Sequence, residues 1–145
     1  MQKNTMAFAD FVDLCREHGL KATQQRFEIY VELFNSLEHP DAETVYLEIR
    51  KRMPSISFDT VYRTVRVLEE KGVISRINPN LERTRYDANT KRHHHFICDK
   101  CGLIKDFYSE DFDRLAPPVE IDEIGKAGCV HVEVRGVCNK CRKKN

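Results

Sequence analysis

His93-His94-His95-Phe96-Ile97-Cys98-Asp99-Lys100-Cys101 runs three imidazoles directly into a Cys-x-x-Cys pair, and its reading sets the architecture of the chain. Side chains alternate along an extended strand, so His93 and His95 share one face while His94 and Phe96 share the other. One face can therefore offer two imidazoles to a single ion. The cysteines sit on a turn and have a downstream counterpart, Cys138-Asn139-Lys140-Cys141. Two such pairs of soft thiolates suit a closed tetrahedral zinc site. The rival is a redox Cys-x-x-Cys, which predicts a single motif at a helix start beside a βαβ pattern; here two pairs are expected at strand ends. Four thiolates leave no coordination position for a substrate, so Cys98, Cys101, Cys138 and Cys141 are expected to fold the domain rather than to catalyse.

A chain of 145 residues holds one ordinary domain or two small ones, and small domains need a staple, for which metal is the obvious choice. Charged residues are 32% of the sequence but the net charge is only +1. The composition is that of a soluble globular protein without the bulk positive charge of a general nucleic-acid binder, so any DNA contact must be local. No run reaches the length of a membrane span, and Met1-Gln2-Lys3-Asn4-Thr5 lacks the apolar core of a signal peptide. The expected compartment is the cytoplasm, where six cysteines stay reduced and ligate metal in preference to forming disulfides.

Upstream of the histidines, Phe8, Phe11, Val12 and Cys15 recur at helical spacing and Gly19 supplies a C-terminal cap, with Cys15 expected in the core. Thr23 caps a second helix with an inner stripe of Phe27, Tyr30, Val31 and Phe34. Asp41, just after His39-Pro40, caps a third helix in which Val45, Ile49 and Met53 repeat until Pro54. A fourth starts at Ser57 and runs to Lys71, with Val61, Val65 and Leu68 inward and Thr60, Tyr62, Arg63 and Arg66 on the other face. That outer mixture of hydroxyl, aromatic and guanidinium groups can reach phosphates and base edges. After Gly72 the period changes to two, and Val73 to Ile77 and Arg83 to Tyr86 read as strands around an Asn78-Pro79-Asn80 turn. Helices followed by a two-stranded wing make a winged helix-turn-helix; the plainer alternative is a helical bundle with a hairpin and solvated charges. Residues 1–87 carry thirteen Lys and Arg against fourteen Asp and Glu, so the DNA reading rests on the local grouping of Arg50, Lys51, Arg52, Arg63, Arg66, Arg76, Arg83 and Arg85.

The organisation predicted is α+β: a winged helix-turn-helix DNA-binding domain over residues 1–87, a short polar hinge over 88–92 and a small α/β domain with a four-cysteine zinc site over 93–145. In the second domain, Leu103 to Phe107 is expected as a strand carrying Asp106, and Val130, Val132 and Val134 alternate in a later one. A second candidate site uses harder ligands: His93 and His95 from one strand face, Asp106 from the next, Asp87 at the end of the wing and His39 from the first domain. Such donors suit Fe(II), Mn(II) or Zn(II). An ion drawing on both domains would fix the angle between them, which is a switch.

Several stretches together resemble the ferric uptake regulator (Fur) family over nearly the whole chain. They are Gly19-Leu20-Lys21-Ala22-Thr23-Gln24-Gln25-Arg26, Glu38-His39-Pro40, Asp59-Thr60-Val61-Tyr62-Arg63, Arg85-Tyr86-Asp87, His93 to Gly102 and Gly136-Val137-Cys138-Asn139-Lys140-Cys141. The resemblance implies a metal-dependent transcriptional repressor: a homodimer, paired through its C-terminal domains, that grips palindromic double-stranded operator DNA when the regulatory ion is bound. It implies DNA contacts by Lys21, Ser57, Thr60, Tyr62 and Arg63, with the helix from Ser57 in the major groove. Asp at positions 87 and 106 is similar to the peroxide-sensing members, whereas iron sensors more often place Glu at one or both. In that class Fe(II) reacts with peroxide and the oxidant modifies a ligand histidine, here His39 or His93, while Mn(II) holds the repressor closed without that chemistry. Iron-responsive and zinc-responsive repressors are the alternatives within the family.

Two features depart from the family pattern. Many members use a further histidine in the strand before the last cysteine pair, where Val130 stands here and His131 lies one residue along; a one-residue slip reverses the face of a strand. His94 and His131 are therefore expected either to face solvent or to back up a ligand, and Cys129, for which a weak ligand and a redox-active thiol are the alternatives, to be buried. Pro117-Pro118 falls where the family runs a helix, which must begin late, end early or be replaced. Outside the family, a small metal-dependent hydrolase lacks an apparent general base or substrate-cradling loop. A zinc-binding interaction module would leave the mixed face of the fourth helix unexplained.

Overall fold

A computed structural model describes residues 5–77 and 83–144, and the chain divides into two compact units, Met1–Thr90 and Lys91–Asn145. The first contains α1 (Phe8–Glu17), α2 (Gln24–Asn35), α3 (Ala42–Ile49) and α4 (Phe58–Glu70), followed by β1 (Ser75–Ile77) and β2 (Arg85–Asp87). Three of the four helix starts are fixed as capping chemistry requires. The side chains of Thr23, Asp41 and Ser57 accept the backbone N–H groups of Arg26, Thr44 and Thr60, which would otherwise be left without an intrahelical partner. The α1 and α4 C-termini each lead to a glycine of positive φ, Gly19 at 65° and Gly72 at 75°, where a Cβ would be strained.

The core of this unit forms where the apolar stripes of the four helices meet: Phe11 and Cys15 of α1, Tyr30 of α2, Val45 and Ile49 of α3, and Val61, Val65 and Leu68 of α4 are buried. The stripe of α2 is rotated from its expected position, since Ile29 and Leu33 are buried with Tyr30, while Phe27 and Phe34 pack at the margin and Val31 is only half-buried. Phe27 and Phe34 cover the core edge through ring contacts with Phe11 and Tyr30, which are buried together with Ile29 and Leu33. α3 ends at Ile49 rather than continuing to Pro54, with Met53 packed from the following turn. β1 and β2 are antiparallel, with Ser75 opposite Asp87, Arg76 opposite Tyr86 and Ile77 opposite Arg85. The expected Asn78-Pro79-Asn80 turn lies outside the described residues.

The Ser57 cap gives a direct test of this part of the fold. Ser57→Ala removes the acceptor 3.1 Å from the Thr60 N–H and is expected to cost about 1 kcal/mol, within the range of such substitutions, read as a lower denaturant midpoint with unchanged slope.

The second unit is a three-stranded sheet in the order β4-β3-β5, built from β3 (His94–Cys98), β4 (Ile104–Phe107) and β5 (Glu133–Gly136). β4 returns antiparallel after the Cys98–Cys101 turn, placing His95 opposite Asp106. β5 lies parallel on the other edge, with Cys98 opposite Gly136. The connection carries α5 (Glu110–Asp113) and a 3-10 turn, Val119–Glu123, and the chain then closes with α6 (Asn139–Lys143). Pro117 and Pro118 act as the sequence requires: α5 ends at Asp113 and Pro118 begins the 3-10 turn. Two expectations are corrected. β5 begins at Glu133, so Val130 and Val132 precede the strand instead of alternating within it. The second cysteine pair lies at a helix start, Cys138 being the N-terminal cap of α6 and Cys141 a residue of it.

Candidate metal centres

Cys98 ends β3, Cys101 lies at the end of the turn that follows, and Cys138 and Cys141 come from the start of α6. Their four sulfurs lie within 4.8 Å of one another, and Cys101 Sγ is 3.7 Å from Cys138 Sγ. Zinc–sulfur bonds of about 2.3 Å in a tetrahedron place sulfurs roughly 3.8 Å apart, so this donor set fits zinc. The backbone prepares it. The Cys138 N–H donates to Cys98 Sγ at 3.3 Å and is the leading cause that brings the Cys98 thiol down to about 6. Cys138 is lowered as well, chiefly by the Cys141 N–H. Cys141 moves the other way, up to about 12, because the Cys138 and Cys101 sulfurs share its proton. Four adjacent thiols cannot all ionise unaided, and a dication is the charge that allows it. A helix-start Cys-x-x-Cys is the geometry expected of the redox rival; against that rival stands the second pair, which brings its sulfurs into the same cluster.

A harder donor set lies at the start of β3, formed by His95 of that strand, His93 just before it and Asp106 of β4. His93 Nε2 is 3.1 Å from His95 Nε2, and Asp106 Oδ1 lies 3.7 Å from His93 Nε2 and 3.2 Å from His95 Nε2. Ligands about 2.0–2.2 Å from a metal are separated from one another by roughly these distances, so the three atoms fit a single ion. The far side of each ring is anchored. His93 Nδ1 lies 2.5 Å from the Lys91 carbonyl, and donating to it leaves Nε2 as the lone-pair atom. His95 Nδ1 lies 3.1 Å from His131 Nε2. Burial and the neighbouring His95 lower the His131 pKa, which favours the neutral ring, the form that carries an acceptor nitrogen.

In the first unit, His39 and Asp87 are both buried, with His39 Nδ1 3.7 Å from Asp87 Oδ1. His39 has φ 50°, a left-handed conformation uncommon for a residue with a Cβ. The Arg85 side chain donates to the carbonyls of His39 and Glu38. Sequence reading found the ligand candidates but missed Arg85 as the group that grips this turn. Its place two residues before Asp87, on the same strand face, was the available signal.

The residues left outside both candidate sites also acquire definite positions. His94 is fully buried, which corrects the solvent-facing option: its Nδ1 accepts the Val132 N–H at 3.1 Å and its Nε2 lies 3.0 Å from Asp113 Oδ1. Arg92 Nε also approaches that carboxylate, at 3.4 Å. Cys129 is exposed rather than buried, because it lies in the irregular segment before β5.

The residues expected to meet DNA differ in what already holds them. Lys21 is exposed before α2. On α4, Tyr62 is 41% exposed and stacks on Phe58, and Arg63 pairs with Asp59 at 3.0 Å on the surface. The Ser57 and Thr60 hydroxyls are hydrogen-bonded to each other at 2.9 Å. Arg66, Arg76 and Arg83 are likewise each paired with a carboxylate, so these members of the local basic grouping are balanced by acid in place.

Residues 17–133 match the profile of the ferric uptake regulator family. The chain is 32% identical over 133 residues to the peroxide operon regulator of Bacillus subtilis strain 168, covering 92% of each. Among solved structures, the Campylobacter jejuni peroxide stress regulator aligns at 31% identity and TM-score 0.67 over 94% of this chain and 100% of that one. The Helicobacter pylori ferric uptake regulator, which has three functional metal-binding sites, aligns at TM-score 0.73 and 24% identity over 98% of this chain and 97% of that one, a likeness of fold.

Proposed function

We propose that this chain, which belongs to the ferric uptake regulator family, is a peroxide-sensing, metal-dependent transcriptional repressor that binds DNA. The observation that carries the reading is the presence of two chemically distinct donor sets: a closed cluster of four thiols and, apart from it, the converging His93, His95 and Asp106. The first suits a structural Zn(II) and the second a regulatory Fe(II) or Mn(II). We assign the structural zinc to Cys98, Cys101, Cys138 and Cys141, and the regulatory ion to His39, Asp87, His93, His95 and Asp106.

Each unit supplies only part of the regulatory set, two donors from the first and three from the second. Engaged by one ion, these side chains tie the units together across a hinge at residues 88–92, and in a dimer this fixes the spacing of the two DNA-reading helices. Lys21, Ser57, Thr60, Tyr62 and Arg63 then meet a palindromic double-stranded operator. The second unit exposes Leu115, Val119, Ile124 and Val134, apolar groups that a second copy of the chain would cover. No helix among the described residues is long and apolar enough to cross a membrane, and the protein acts in the cytoplasm as a regulator rather than an enzyme.

The test is operator affinity in zinc-loaded protein with and without added Mn(II), measured by fluorescence anisotropy at fixed salt. Coupling free energies of the usual size predict a rise of about 5–150-fold, which His95→Ala and Asp106→Asn should remove while zinc content stays at one per chain. Equal affinity with and without Mn(II) would refute the switch. A metal-dependent repressor indifferent to peroxide would instead be the iron-responsive or zinc-responsive type.

A further inference from the structure

We infer that Arg85 is a positioning residue for the regulatory ion, holding His39 in its left-handed backbone conformation so that the imidazole is presented beside Asp87. The inference rests on the assignment of His39 and Asp87 as ligands made above.

The geometry lies within the first unit. Side chains alternate along β2, so Arg85 and Asp87 share one face while Tyr86 faces the core, where it is 4% exposed. The Arg85 guanidinium donates from Nε to the His39 carbonyl and from a terminal nitrogen to the Glu38 carbonyl. The Tyr86 N–H donates to the Pro40 carbonyl at 3.2 Å. Three consecutive carbonyls of the Glu38-His39-Pro40 turn are therefore gripped by two consecutive residues of β2. The next residue, Asp87, carries the carboxylate that meets the imidazole at 3.7 Å, and it is steadied by the Asn89 N–H at 2.8 Å.

A residue with a Cβ at φ 50° keeps that conformation only where its surroundings impose it. Tyr86 fixes the carbonyl after His39, but only Arg85 among these donors reaches the carbonyl of His39 itself, and the forked guanidinium is the side chain able to serve two carbonyls together. Because β2 is paired with β1 through Ile77 opposite Arg85 and Ser75 opposite Asp87, one short ribbon carries the clamp, the ligand and the root of the wing. Whatever shifts His39 must shift this ribbon or break the clamp.

Arg85→Lys tests the fork, because an ammonium keeps the charge but cannot bridge the two carbonyls in the same plane. In full-length, zinc-loaded protein, Mn(II) affinity is expected to fall about 10–100-fold, as for other supports of metal ligands, while the Tm of the Mn(II)-free protein stays near that of the parent chain. In Arg85→Ala, added guanidinium ion should restore part of the affinity. His39→Ala is the control. If it weakens Mn(II) binding and Arg85→Lys does not, the positioning role is overturned and the ligand assignment stands. If His39→Ala also leaves the affinity unchanged, the ligand assignment itself fails. A fall in Tm matching the loss of affinity, without rescue by guanidinium, would make Arg85 a purely architectural residue and overturn the inference.

Discussion

In a Cys138→Ser chain the structural zinc is expected to be lost, and the fold of the second unit with it. Among its described residues, the buried apolar side chains of that unit are Ile97, Cys98, Ile104 and Cys138. Full burial of an isoleucine contributes about 1.5–3 kcal/mol, whereas ordering the backbone costs roughly 1–2 kcal/mol per residue. So small a core does not hold a sheet of this kind by burial alone. Zinc binding to sites of this sort supplies apparent free energies of about 10–16 kcal/mol at neutral pH, enough to decide the balance.

Cys138 is also the residue whose loss is hardest to compensate. It is 7% exposed, its N–H donates to Cys98 Sγ, and it caps α6. It lies two residues after the end of β5, whose parallel pairing with β3 puts Gly136 beside Cys98. Serine keeps the backbone donor but offers a hard hydroxyl where a soft thiolate is needed. The expected result is zinc content falling from one per chain to near zero, with collapse of the dispersed amide NMR signals of residues 91–144. Signals from the four-helix core should persist, because that core is built from Phe11, Tyr30, Ile49, Val65 and their neighbours and needs no metal. Retention of one zinc per chain in the variant would show that the four-thiolate assignment is wrong.

The contrast between the two units explains how much of the molecule was legible in its sequence. In the first, local signals agree with one another: the caps at Thr23, Asp41 and Ser57, the glycines at 19 and 72 and the buried stripe of α4 all appear where the spacing puts them. Helix periodicity and cap chemistry are short-range, so a single sequence carries them. The α2 stripe was misplaced because packing partners, not periodicity, decide whether Phe34 or Leu33 takes the centre. In the second unit, alternation along the histidine run divides His93 and His95 from His94, and the side-chain contacts follow the same division, His93 meeting His95 and His94 meeting Asp113. What it could not give was the fate of His94, which depends on Asp113 and on the Val132 N–H, 19 and 38 residues away. Pairings across the sheet and the irregular chain before β5 are long-range events. Arg85 is the same kind of case, since its partners lie 46 and 47 residues upstream.

Hydrogen peroxide added to Fe(II)-loaded protein is expected to release it from operator DNA, whereas the Mn(II)-loaded form should be unaffected. His39, Asp87, His93, His95 and Asp106 would hold the ion, and bound Fe(II) would supply the redox chemistry that activates peroxide beside them; over the whole reaction the two electrons that reduce the peroxide come from the imidazole that is oxidised. The chain's own contribution is what it places there. His93 is held by the Lys91 carbonyl with Nε2 in the donor cluster, and His39 is buried to 3% exposure beside Asp87, so the first ring is anchored and the second is screened from solvent scavengers. In net balance one imidazole and one peroxide give an oxo-imidazole and water, so the modified peptide gains the mass of one oxygen atom. Mass spectrometry should find that oxygen on His39 or His93 and not on His94, which is fully buried against Asp113. An oxidised ring is a poorer donor, and loss of one ligand should drop operator affinity to the level of protein without regulatory metal, about 5–150-fold. The change should persist after peroxide is removed and fresh Mn(II) is supplied, which separates damage to a ligand from simple oxidation of the iron. If affinity returns in full on adding Mn(II) and no histidine has gained oxygen, the peroxide-sensing assignment fails and an iron-responsive repressor with the same donor set takes its place.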